Sequence, residues 1–173
     1  NNRLFASEHP LFLGEYWQAF KNSNLTNDFG YTEGYKKTSS KKKAGDKSHF
    51  FSRFTKRFIT NDQKESNLEI NLQHVSNKKY LKLYRVDSDL VDYETETLEN
   101  FVDFSHYNDL TNLSLSFRAG NYRTLKESYN DKYEFIFPDM MIDKSLFNEK
   151  FGYGTIQSNF KINNFDTNKT KKI

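Results

Sequence analysis

The chain has 173 residues, a net charge of +3 and a mean hydropathy of -0.90, yet aromatic residues make up 17% of it. Such a length permits a domain with its own core and leaves a soluble fold open, while the aromatic content argues against disorder and for a fold with one apolar and one wet surface. The absence of cysteine excludes a disulfide, a thiolate metal site and a cysteine nucleophile, and so small a charge makes no case for a nucleic-acid partner.

Asn1 to Pro10 carry no initiator Met and no basic or apolar signal region, so the chain reads as an internal segment of something longer. No run approaches the roughly 18 apolar residues of a spanning helix, so any membrane crossing is by strands.

Taken in order, Lys21-Asn22-Ser23-Asn24 is the first turn signal, and the lysine-rich stretch from Lys36 to Lys47 reads as an exposed loop. Ser48 to Thr60 is a strand in which Phe50, Phe54 and Phe58 share a parity that Phe51 and Ile59 break. After the turn Asn61-Asp62-Gln63-Lys64, the alternation is clean: Leu68, Ile70 and Leu72 lie on one face, Glu69, Asn71 and Gln73 on the other.

Asp87 to Glu99 is an acidic loop, and Leu98, Val102 and Phe104 suggest the next strand. Beyond the turn His106-Tyr107-Asn108-Asp109, Leu113, Leu115, Phe117 and Ala119 oppose Ser114, Ser116 and Arg118. A turn at Tyr129-Asn130-Asp131 precedes a last strand through Gly154, Ile156, Ser158, Phe160 and Ile162. No helical stretch stands out. The expected fold is all-β: an antiparallel meander of about eight or nine strands of roughly 9 to 12 residues, long enough to cross a bilayer as part of a transmembrane β-barrel. Residues 1–173 then form one partial barrel domain.

Several phrases resemble the LptD family of LPS-assembly proteins (the organic solvent tolerance family), particularly those of AT-rich alphaproteobacteria. They are Leu13-Gly14-Glu15-Tyr16, Phe29-Gly30-Tyr31-Thr32-Glu33-Gly34-Tyr35-Lys36, Ile70-Asn71-Leu72-Gln73-His74-Val75-Ser76-Asn77, Tyr80-Leu81-Lys82-Leu83-Tyr84 and Asp131-Lys132-Tyr133-Glu134-Phe135-Ile136-Phe137-Pro138-Asp139. The resemblance implies a middle portion of the barrel, without the family's periplasmic jellyroll, in a translocon that inserts lipopolysaccharide into the outer leaflet of the outer membrane. It implies as partners lipopolysaccharide, an outer-membrane lipoprotein plug and the periplasmic LPS-transport bridge. It assigns no lateral-gate residue, and neither Pro10 nor Pro138 can be placed there. Another outer-membrane barrel (a porin or receptor) and a soluble β-sandwich binding module such as a surface lectin stay open as alternatives.

On this reading Glu69, Asn71, Gln73, Ser114, Ser116 and Arg118 line a hydrated lumen; in a soluble sandwich they would face water. Lys41, Lys42 and Lys43 are the candidate contacts to lipopolysaccharide phosphates, although most such runs are solvated loops. Tyr16, Trp17, Phe20, Tyr31, Tyr35, Tyr80, Tyr84, Tyr122, Tyr133, Phe151 and Tyr153 are candidates for interfacial girdles, against packing in a soluble core.

Asp87, Asp89, Asp92, Glu94 and Glu96 lack the glycine and spacing of a calcium loop, and the dispersed His9, His49, His74 and His106 read as ordinary turn or strand-end residues. Without a Gly-x-Ser-x-Gly turn or a phosphate-cradling loop, the expectation is a transport conduit, not an enzyme, with no cofactor and no metal.

Overall fold

A computed structural model describes residues 2–5, 8–33, 46–61, 63–126 and 131–167. The strands are β1 (Asn2–Phe5), β2 (Glu8–Phe20), β3 (Ser23–Thr32), β4 (Lys47–Asn61), β5 (Lys64–Val75), β6 (Thr97–Asn108), β7 (Leu113–Thr124), β8 (Asp131–Asn148) and β9 (Gly152–Thr167). They form one nine-stranded sheet in sequence order, every neighbouring pair antiparallel, so the expected meander is present. Among the described residues it is an open sheet with β1 and β9 at its edges, not a closed barrel.

The long strands follow from the scarcity of breakers, two prolines and seven glycines in the chain. β8 and β9 reach 18 and 16 residues, beyond the expected 9 to 12. β8 gains length by carrying Pro138 through a register shift between Ile136 and Asp139, where no ladder hydrogen bond asks for its missing N–H. The turn expected at His106 to Asp109 lies later: β6 continues to Asn108, and a 3-10 turn, Asp109–Thr111, reverses the chain through Asn112 at φ 46°. The turn signal at Tyr129-Asn130 lies outside the described residues.

A helix that the sequence reading did not anticipate, α1 (Tyr80–Tyr84), sits in the excursion 76–96 between β5 and β6. One turn is too short to show a helical period, and it stops at Arg85 in the left-handed region, φ 47°.

Register sorts the side chains into two faces. Leu68, Phe104, Phe117, Met140 and Phe160 form one continuous row across β5 to β9. One residue along, on the opposite face, runs Asn24, Thr55, Glu69, Asp103, Arg118, Asp139 and Lys161 across β3 to β9. Among the described residues no second layer covers the apolar face: Phe12 and Phe160 are each 53% exposed and Leu72 47%.

Glycines admit cross-strand rings at close approach. Phe29 lies over Gly14 and the His49 ring over Gly30, while a Cβ on Gly120 would meet the Asn100 carbonyl oxygen at 2.4 Å. Since that oxygen is backbone and cannot swing away, Gly120→Val is expected to destabilise the sheet by about 1–3 kcal/mol. Gly154→Val, with nothing within 4 Å of the new Cβ, is expected to be near neutral. Urea unfolding of the two variants measures the contrast; equal stabilities would contradict the packing at Gly120.

Candidate functional site: the polar face and its packed end

Along the polar row, Arg53 Nε lies 2.8 Å from Glu69, Arg118 Nη1 3.8 Å from Asp103 and Lys161 Nζ 3.1 Å from Asp139. Nearer the β4–β5 turn, Arg57 Nη2 donates to Glu65 at 2.5 Å, and Gln157 donates to Asp143 at 2.6 Å. All three pairs in the row leave both partners about a third or more exposed, with screening to match, and such pairs contribute under about 1 kcal/mol each. Adhesion is therefore not their main effect. They keep the face hydrated and locally neutral, since Arg53, Arg118 and Lys161 answer Glu69, Asp103 and Asp139. A cleft of about 660 Å³ opens here, its lining including Thr55, Arg57, Asn67, Glu69, Asp103 and Ser105.

The six residues expected to line a lumen all fall on this face by register. Glu69, Ser114, Ser116 and Arg118 belong to its open part, and the Arg118 guanidinium also lies over the Phe101 ring at 4.1 Å. Asn71 and Gln73 are engaged elsewhere. The β5–β6 ladder ends at Asn71↔Phe101, short of the end of β5 at Val75, and amide side chains take over. The Gln73 backbone N–H donates to Asn100 Oδ1 at 2.7 Å, the Glu99 N–H to Gln73 Oε1 at 2.8 Å, and Asn71 Nδ2 to the Glu99 carbonyl at 2.8 Å. Lys41, Lys42 and Lys43 lie outside the described residues, as does Tyr35.

Past that seam, the excursion 76–96 folds onto the same face. Tyr80, Leu81, Tyr84, Val86 and Val91 from it pack with Leu11, Phe51, Val75, Leu98 and Leu125 into a buried cluster. Tyr80 and Tyr84, candidates for a girdle, are instead core residues: the one turn of α1 directs both inward. Tyr16, Trp17, Phe20, Phe151 and Tyr153 are exposed, Tyr153 by 88%.

The cluster is pinned by a polar relay. His49 Nδ1 lies 3.0 Å from the Tyr80 hydroxyl and His49 Nε2 3.1 Å from Asp28 Oδ1. The ring also stacks on Phe51, centroids 4.6 Å apart. His49 was expected to be an ordinary strand-end residue; its partner Asp28 comes from the neighbouring β3, and its burial and its bond to Tyr80 depend on the excursion, which spacing along β4 cannot reveal. As chemistry the relay resembles a base between an acid and a hydroxyl, but Tyr80 is fully buried, so no substrate reaches its oxygen. It is a latch.

At the base of the excursion Lys126 Nζ pairs with Glu96, and the Lys126 hydrogen bond, assisted by the charges of Lys126 and Lys82, holds the Glu96 carboxyl below its ordinary value. No group of three or more His, Asp or Glu that could hold a metal occurs among the described residues. Comparison with protein-family models, curated proteins and solved structures finds no match.

Tyr80→Phe leaves a ring nitrogen of His49 unpaired in a buried site and is expected to cost about 1–3 kcal/mol. Hydrogen exchange should then quicken in the excursion while the β7–β9 ladder stays protected; uniform exchange would contradict a local latch. Because the Glu96 pKa is depressed on folding, its tie to Lys126 adds stability above the ordinary carboxylate pKa and loses it as pH falls through the folded value. NMR titration should place Glu96 below the ordinary range, with Lys126→Ala moving it up; no movement would contradict the pairing.

Proposed function

We propose that the chain is a run of wall strands in an outer-membrane β-barrel, and that it serves as a non-enzymatic part of a lipopolysaccharide translocon of the LptD type. The observation that carries the membrane reading is the uncovered apolar face beside a cross-paired polar face. A soluble sandwich buries its Leu, Ile and Phe face against a second sheet; a barrel wall turns that face to lipid and the charged one to water. Here Leu72, Ile156, Phe160 and Phe12 stand exposed, and the described interior is confined to one end of the polar face.

Backbone satisfaction supports the same reading. In hydrocarbon every N–H and C=O has to be paired between strands, and a meander closed by further strands does so. That no helix among the described residues is long and apolar enough to span a membrane is compatible with crossing by strands.

Connection lengths support one orientation. At one end lie 33–46, 76–96 and 125–130, with the short link 6–7; at the other lie 21–22, 62–63, 109–112 and 149–151. Outer-membrane barrels have short periplasmic turns and longer outer loops, so in this reading the excursion and its latch stand on the outer side. Phe20, Phe58, Phe147, Phe151 and Tyr153 gather at the short-turn end, where a girdle would meet the inner headgroups.

Lipopolysaccharide as cargo rests on the sequence phrases, and the polar row supports it: its ionic and amide side chains suit a saccharide in water. A porin or receptor would share the wall but not this cargo.

The chain has no cysteine, which makes single-cysteine labelling clean. In phospholipid vesicles, a label at positions 113, 115 and 117 is expected to be quenched by brominated lipid, and one at 114, 116 and 118 by aqueous iodide. Aqueous quenching at every position would end the membrane reading. Phe117→Lys should disfavour insertion by about 2–4 kcal/mol and Ser116→Lys by far less. For cargo, a photo-crosslinker at Ser116 or Asp103 in cells should capture lipopolysaccharide. Capture of none, with the alternating quenching intact, would leave a barrel of another kind.

A further inference from the structure

Trp17 is the one tryptophan of the chain and is 67% exposed. By sequence it is a girdle candidate, yet register sets it on the polar face: Trp17 pairs with Thr26, Thr26 with Arg53, and Arg53 Nε lies 2.8 Å from Glu69. A girdle ring meets headgroups from the lipid side; this indole stands on the side of the charges. A large apolar ring left uncovered there is the informative kind of exposure, since its faces find no partner in water.

Ala19 and Glu15 flank the ring along β2, with Thr26 opposite and Asn24 on the diagonal. Ala19 and Thr26 are too short to cover it. Glu15, Asn24 and the Arg53–Glu69 pair supply acceptors and donors around it, and because Arg53 answers Glu69 that pair adds little net charge. Arg53 lies two strands away, about 10 Å by the interstrand spacing, an interval that admits one sugar ring above Thr26. The cleft of about 660 Å³ opens alongside, with Asn24 and Thr55 in its lining, a volume in the range of small-ligand pockets.

We propose that Trp17 is the stacking platform of a saccharide subsite, with a pyranose ring on the indole and its hydroxyls on Glu15, Asn24 and the Arg53–Glu69 pair. A pyranose has a face of C–H groups and a rim of hydroxyls, and that division matches an apolar ring set among paired charges. An anion would meet the carboxylates of Glu15 and Glu69 beside the Arg53 guanidinium. A further unit of the same glycan would enter the cleft. The subsite gives the saccharide reading of the polar face a place, yet it rests on register and exposure alone and is tested apart from bilayer insertion.

Because the chain has one tryptophan, its fluorescence reports on this residue alone. The full chain, in a sugar-free polyoxyethylene detergent, is titrated with maltohexaose, with chitotetraose and with sorbitol, an open-chain polyol without a ring face. Either oligosaccharide should shield Trp17 from iodide saturably, and sorbitol should not. By calorimetry Trp17→Ala should weaken binding at least about tenfold, while Trp17→Tyr, which keeps a ring, should retain most of it; urea unfolding checks that both variants fold. Shielding that grows with protein concentration in the absence of sugar would assign the ring to a contact between copies, and quenching by brominated lipid would assign it to the bilayer. Either overturns the proposal, as does binding undiminished in Trp17→Ala or no response to both oligosaccharides. With alternating quenching at positions 113 to 118 intact, such a failure leaves the wall reading standing.

Discussion

Strand register is the constraint on which the rest of this molecule depends. In a sheet with no second layer among the described residues, the ladder between neighbours carries the backbone hydrogen bonds and fixes which side chains share a face. The row Leu68, Phe104, Phe117, Met140, Phe160 and the row Glu69, Asp103, Arg118, Asp139, Lys161 are one residue apart on every strand. Sliding one strand by one residue would set a phenylalanine among carboxylates and a charge among phenylalanines. The cross-strand ion pairs, weak as glue, penalise that slip.

The same register explains what was legible in the sequence. β5 and β7 alternate without a fault, so their faces could be read off Leu68 to Gln73 and Leu113 to Ala119, and the register places the polar halves of both on one face. β4 was less readable because Phe51 lies on the polar face, where it packs under the excursion. Its broken parity was a sign of that cover. The excursion itself gave no periodic signal: one helical turn, an αL stop at Arg85 and an acidic stretch look like any loop. For that reason Tyr80, Tyr84 and His49 were misjudged. Their environment is made by residues thirty or more positions apart, such as His49 and Tyr80.

The location of the buried cluster inverts the usual economy of a β-protein. Leucine and phenylalanine on the regular face stay uncovered, whereas the packed interior sits on the face that is elsewhere ionic. A chain segment that leaves the sheet after Val75 and returns at Thr97 brings its own apolar residues and covers one end of that face. The sheet and the segment resting on it are thus held by different forces, backbone pairing for the first and side-chain packing with the Asp28, His49 and Tyr80 relay for the second. Motion of the second does not require breaking the first.

Between β5 and β6 the two regimes meet. Beyond Asn71 and Phe101, Gln73 and Asn100 bridge by their amides where main-chain partners would stand, and Asn100 reaches on to Asn121 at 3.1 Å. A backbone ladder is indifferent to side-chain identity; an amide stitch is not. Tolerance to amino-acid replacement should therefore be uneven along this sheet, generous where main chain meets main chain and narrow at these few carboxamides. Loss of one would unzip a short slit at the rim while the remaining weave held.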